Sequence, residues 1–210
     1  DYMKKLFITG IGTDIGKTIV SAVVVEALQA DYWKPIQSGG LDYSDTERVR
    51  NLISNSKSQF HPEQYLFKFP VSPHLAAAMS ETSIVTETLI PPATKNHLVI
   101  EGAGGLMVPL NGNFLMLDLI KQLDATVILV SKHYLGSINH TLLTAAVLQS
   151  NNIPVAGIIF NGNEHLDSET AILNYTQLPL LGKVAFTEVI DKSFVKRHAD
   201  KIKSNLLKRI

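Results

Sequence analysis

The 210-residue chain balances 19 basic against 19 acidic side chains, so no bulk field draws it to nucleic acid or to a membrane surface. It has no cysteine, which excludes disulfides, thiolate nucleophiles and thiolate metal sites and fits a reducing, cytoplasmic setting. Hydrophobic residues make up 45% of it, enough to build a core, and no apolar stretch reaches the roughly 18 residues of a membrane span. The length reads as one domain over residues 1–210. Asp1 and Tyr2 precede Met3 and read as residues left over from cloning, and the start lacks the apolar core and cleavage site of a signal peptide.

In chain order, Lys5–Thr9 (KLFIT) is expected as a buried strand and Thr18–Ala30 as a helix, despite its valines, because of its length and its place after a glycine loop. Tyr32–Ile36 (YWKPI) reads as a short strand and Asp45–Ile53 as a helix with Val49, Leu52 and Ile53 on one face. Residues 55–70 are polar and irregular and read as a surface loop; Pro70–His74 is a turn, and Leu75–Met79 opens a helix after Pro73. His97–Glu101 is a strand ending on an acid, Leu115–Leu123 a helix, Ala125–Ser131 a strand, Ile138–Gln149 a helix and Pro154–Phe160 a strand. Residues 161–169 read as a second loop, Leu178–Val184 as a last short strand and Asp191–Leu207 as a closing basic helix. Runs such as LVIE and TVILVS are apolar throughout, as strands buried on both faces should be. The alternation predicts an α/β fold: a mostly parallel central sheet with helices on both faces, P-loop NTPase-like.

Gly10–Thr18 (GIGTDIGKT) follows the first strand. It ends as a phosphate-binding loop does, in Gly16-Lys17-Thr18, but holds one residue more than G-x-x-x-x-G-K-[ST] between Gly10 and Gly16. Strand, glycine-rich turn and helix stand in the order that phosphate binding requires. Backbone N–H groups from Gly12, Thr13, Asp14, Ile15 and Gly16 would face a polyphosphate; Lys17 would neutralise β/γ-phosphate charge, and the Thr18 hydroxyl would bind Mg²⁺. Glu101, before Gly102-Ala103-Gly104-Gly105, is either a Mg²⁺ carboxylate beyond a strand end or an ordinary terminal acid. Lys34 ends a strand on the same edge, where it would stabilise charge on a transferring phosphoryl group. Asp45 is a second metal carboxylate or simply the N-cap of its helix. Gly136 and Ser137 put backbone groups at the mouth of a helix, with Ser137 as a plain cap the alternative. His74 and His140 read as structural, and no histidines have metal-binding helical spacing.

Together these stretches resemble the dethiobiotin synthetase family. GxxTxxGKT at Gly10–Thr18, YWKPIQSG, VSPHLAAA, VIEGAGGLMVPL, LGSINHTLLT, AGIIFN and PLLG come in the family's order across nearly the whole chain. The longer step from Gly10 to Gly16 is a trait of that family. The resemblance implies an ATP-dependent ring-closing ligase acting on 7,8-diaminopelargonic acid and CO₂, with Mg²⁺ and a homodimeric assembly. It implies catalytic roles for Lys17, Lys34 and Thr13, Mg²⁺ on Thr18, Asp45 and Glu101, and adenine recognition by Asn161. Ser38, Gly104, Gly136, Ser137 and Asn139 would lie beside the diamine, the last three across the subunit interface. Gly12 and Asp14 depart from the family's aspartate and glutamate, Ala185 stands where proline is common, and residues 165–176 form a shorter segment in which Tyr175 has no aligned role. A runner-up is a P-loop ATPase switch of the partitioning type. The loops of such switches carry a lysine four residues before the final glycine, where this chain has Gly12.

Overall fold

A computed structural model describes residues 3–210; the reading of Asp1 and Tyr2 lies outside the described residues. The run KLFITG forms β1 (Lys5–Gly10), in which Leu6, Phe7, Ile8 and Thr9 have no exposed surface. It lies in the middle of a sheet whose other strands are β2 (Asp31–Trp33), β4 (Phe60–His61), β6 (Leu98–Gly105), β9 (Thr126–Lys132), β10 (Val155–Gly162) and β11 (Leu180–Ala185). The seven strands run in the order β11-β10-β9-β1-β6-β2-β4, and every adjacent pair is parallel. Ile8 lies opposite Glu101, and Gly10 lies opposite both Gly105 and Val130. The segments that follow β1, β6 and β9 therefore leave from one edge, where ligands collect in open parallel sheets.

Helices cover both faces, as expected. On one face α1 (Lys17–Leu28), α2 (Asp45–Leu52) and α7 (Lys192–Leu207) bury Val20, Val24, Val49, Val195 and Ile202 against Leu6 and Ile8. On the other, α3 (Pro73–Met79), α4 (Met116–Gln122), α5 (Ser137–Ser150) and α6 (Leu166–Thr176) pack Ala76, Leu119, Ile120, Leu148 and Ile172 against Phe7 and Ile100. The valine-rich α1 is helical because it is buried almost all round, and packing outweighs weak propensity. No helix among the described residues is long and apolar enough to cross a membrane.

Several boundaries differ from the sequence reading. YWKPI is not one strand. β2 stops at Trp33, and Ile36–Ser38 forms β3, which pairs with β5 (Tyr65–Phe67) in a separate parallel pair. Pro35 lacks the N–H needed to continue the ladder. The loop expected at 55–70 holds β4 and β5, too short to show a period. The loop expected at 161–169 is taken up by the end of β10 and the start of α6, whose first turn carries Asp167 and Glu169, as helix starts favour. β6 runs past Glu101 to Gly105, and an antiparallel hairpin of β7 (Pro109–Asn111) and β8 (Phe114–Leu115) precedes α4.

Candidate active site

The turn after β1 is held from three sides. Ile11 N–H donates to the Val130 carbonyl at 3.2 Å, and Ile15 is buried beneath the turn. Asn161, near the end of β10, donates from Nδ2 to the Ile15 carbonyl at 2.8 Å. Gly16 precedes α1 with φ +90°, and a Cβ there would lie 2.0 Å from Asn161 Nδ2, so both backbone and space demand glycine. Lys17 folds over the turn and donates from Nζ to the Gly12 carbonyl at 2.9 Å. Burial pulls the Lys17 ammonium down to about 8, partly offset by the Glu101 carboxylate. A polyanion arriving at the turn would favour its charged form.

Beside the turn lies a compact charge cluster. Lys34, just past β2, sets its Nζ 2.8 Å from Asp45 Oδ2 and 3.1 Å from Glu101 Oε1, and so lies between the two carboxylates. The Thr18 hydroxyl donates to Glu101 Oε1 at 2.9 Å, and the Tyr32 hydroxyl donates to Oε2 at 2.8 Å. Burial alone would discharge Lys34, but Glu101 and Asp45 outweigh it and hold its ammonium above the usual range. Burial likewise works against the Asp45 carboxylate, and the Lys34 charge overcomes it and keeps that group below its usual range. Burial, reinforced by the Glu101 charge, pushes the Tyr32 phenol well above its usual value, so it stays a donor.

Asp45 is not the N-cap of α2. Ser44 holds that position, in a capping box with Glu47, and Gln37 Oε1 accepts from Asp45 N–H at 3.3 Å. The Asp45 side chain is thereby left to face Lys34. Ser137 is not a cap either: Gly136 occupies that position of α5, with φ +102°. The donor set of Thr18, Asp45 and Glu101 is all oxygen, which suits a hard divalent cation. The described residues hold no group of three or more His, Cys, Asp or Glu side chains that would cage a metal unaided. A cation here would therefore draw remaining ligands from phosphate and water, as Mg²⁺ commonly does.

Thr13, Asp14, Gly16, Lys17, Thr18, Lys34, Ser38, Asp45, Glu101 and Gly104 line a single cleft of about 690 Å³. The Ser38 hydroxyl is buried there with no hydrogen-bond partner among the described residues. Gly12 and Ile15 are not among the lining residues, and their carbonyls are engaged by Lys17 and Asn161. Gly136, Ser137 and Asn139 lie outside the cleft at the start of α5: Ser137 is buried, while Gly136 and Asn139 are exposed. Sequence reasoning missed Tyr32 and Gln37. The available signal for Tyr32 was a polar-tipped ring in a short strand, whose hydroxyl needs a partner once buried.

A parallel sheet, a glycine turn leading from its central strand into a helix, and a lysine folded over that turn define a P-loop nucleoside-triphosphatase fold. A plasmid partition protein from Borrelia burgdorferi bound to AMPPNP shares it, with TM-score 0.62 and 13% identity over 100% of both chains. So does the septum site-determining protein MinD from Pyrococcus horikoshii, solved with Mg-ADP, with TM-score 0.59 and 15% identity over 99% of this chain and 93% of that one. A sequence profile of the family described as "AAA domain" matches residues 4–193. Far nearer in sequence are the ATP-dependent dethiobiotin synthetases BioD of Cytophaga hutchinsonii, 50% identical, and Christiangramia forsetii, 48% identical; each match covers 97% of this chain and 98% of that protein. The chain belongs to the dethiobiotin synthetase family, whose members are ring-closing ligases.

Proposed function

We propose that the protein, as one domain spanning its 210 residues, converts 7,8-diaminopelargonic acid, CO₂ and ATP into dethiobiotin, ADP and phosphate in the cytoplasm. The observation that carries this reading is the meeting of Lys17, Thr18, Lys34, Asp45 and Glu101 at one cleft, in a chain half identical to named dethiobiotin synthetases. One amine of the substrate adds to CO₂ and loses a proton, giving a carbamate. The nearby ammonium groups of Lys17 and Lys34 favour the neutral amine that this addition needs. A carbamate oxygen then attacks the γ-phosphorus, ADP leaves, and a carbamic–phosphoric anhydride results. The second amine attacks its carbonyl carbon, closes the ring and expels phosphate.

Phosphoryl transfer of this kind is mostly positioning and charge neutralisation. The turn N–H groups from Gly12 to Gly16 and the start of α1 hold the polyphosphate, with Lys17 over it. Lys34 swings from the carboxylates toward the transferring group. Mg²⁺ held by Thr18, Asp45 and Glu101 would neutralise phosphate charge. Thr13, Ser38 and the backbone at Gly104 orient the diamine, and Asn161 reads adenine.

The protein acts as a homodimer, with Gly136, Ser137 and Asn139 of a second copy closing over the diamine and keeping water from the anhydride. Exposed apolar side chains beside those residues, Tyr134, Leu135 and Ile138, support that arrangement. The partitioning-switch reading has only the shared sheet in its favour, and Gly12 replaces the lysine on which such switches rely. Phosphate release measured against substrate supply tests the choice. Release that requires both diamine and CO₂ is expected; steady ATP hydrolysis indifferent to either would overturn the ligase reading.

A further inference from the structure

Glu101 is 1% exposed, and both its oxygens are engaged. Oε1 accepts from Thr18 and Lys34, whose side chains line the cleft. Among the described residues Oε2 accepts only from Tyr32, a residue of β2 with no exposed surface and no place in the cleft lining. The three donors thus fall into two groups. Thr18 and Lys34 face the ligand and, on the functional reading above, turn toward cation and phosphate when these bind. Tyr32 is locked between β6 and β4 by the ladder, with its backbone opposite Val99 and Phe60, and has nowhere to turn. A phenylalanine would fill the same core volume. Among the described residues the hydroxyl has a single partner, and a buried hydroxyl without one costs free energy.

We infer that Tyr32 is a positioning residue: it pins Glu101 Oε2 from behind, so that the carboxylate keeps Oε1 toward the cleft when Lys34 and Thr18 change partners. This inference rests on the proposed function, since it assigns Glu101 to cation binding. It goes beyond that reading by giving the carboxylate's orientation to a core residue that touches neither nucleotide nor substrate.

The test uses the full chain, a non-hydrolysable ATP analogue and Mn²⁺ as the probe cation, with free Mn²⁺ read by electron paramagnetic resonance. For Tyr32→Phe, the Mn²⁺ dissociation constant is expected to rise about tenfold, the lower end for groups behind a metal ligand. Binding of the analogue in chelator should not change. In a Glu101→Gln background, Tyr32→Phe should add no further loss, because its effect runs through that carboxylate. Should Tyr32→Phe not fold, 4-methylphenylalanine at this position keeps the shape without a donor and is expected to lose affinity. 4-Aminophenylalanine keeps a donor and is expected to retain it. Unchanged Mn²⁺ affinity in the donor-less variants, or an equal loss in the Glu101→Gln background, would overturn the positioning role while leaving the functional reading intact. Absence of any Mn²⁺-dependent nucleotide binding in the unmodified chain would overturn both.

Discussion

At the scale of single residues, the nucleotide turn depends on one atom that is missing. Gly16 lies at φ +90°, and a methyl group there would meet the Asn161 amide, which itself holds the Ile15 carbonyl. Gly16→Ala is therefore expected to displace Asn161, release the turn and weaken ATP-analogue binding by more than about tenfold, measured by calorimetric titration, since the new side chain brings both a clash and an unfavourable φ. Circular dichroism should remain that of the folded chain, because the strain is confined to the turn. Lys17 and Thr18 were legible from the sequence for the same reason: the spacing of Gly16-Lys17-Thr18 is chemical as much as structural. Tyr32 was not legible, because its partner Glu101 lies on another strand, and only folding brings the two together.

At the scale of elements, the edge of the sheet next to the site is tied down by Asp31, the first residue of β2. Its carboxylate accepts from Gln59 N–H at 3.0 Å, Thr94 Oγ1 at 2.7 Å and Asn96 Nδ2 at 3.2 Å, and it pairs with His61 Nε2 at 3.2 Å. Burial works against this charge, but the Thr94, Gln59, His61 and Asn96 contacts outweigh it and hold the carboxyl below its usual range. A depressed folded-state value means the stabilisation is present above the unfolded value of about 3.9 and is lost as pH falls through the lower folded value. Asp31→Asn should therefore lower the thermal midpoint near neutral pH by about 2–4 °C for each of the roughly 1–3 kcal/mol such a buried acceptor contributes. The gap between variant and unmodified protein should close as pH is taken below about 4 in calorimetric scans. The elements on either side show what a linear reading captures. The long strands were legible because burial on both faces makes them continuously apolar. β4 and β5 were not, because two or three residues held by such side-chain ties show no period of their own. α6 was missed because only Glu169 and Ile172 of its residues are buried, which leaves a weak apolar stripe.

At the scale of the whole molecule, the cleft and the start of α5 stand apart in a single copy, although the resemblance assigns residues at both places to one substrate. Leu135 is fully exposed next to Gly136, and Leu166 and Tyr175 on the neighbouring α6 are also exposed. Light scattering at micromolar concentration is expected to give twice the 23.1 kDa chain mass. Leu135→Lys should shift the protein toward a single copy and cut ring closure while sparing nucleotide binding, because the turn and its lysine belong to one chain. A monomeric unmodified protein with full turnover would remove the second copy from the reaction.

The ammonium wedged between Asp45 and Glu101 has one more consequence. The protein supplies its own counter-ion, so on the proposed reading the loading of a divalent cation would be an exchange of occupants rather than the filling of a repulsive gap. Its fold should be indifferent to the metal: prolonged dialysis against EDTA is expected to leave the melting temperature unchanged, and a drop of several degrees would show that the tenant lysine does not suffice.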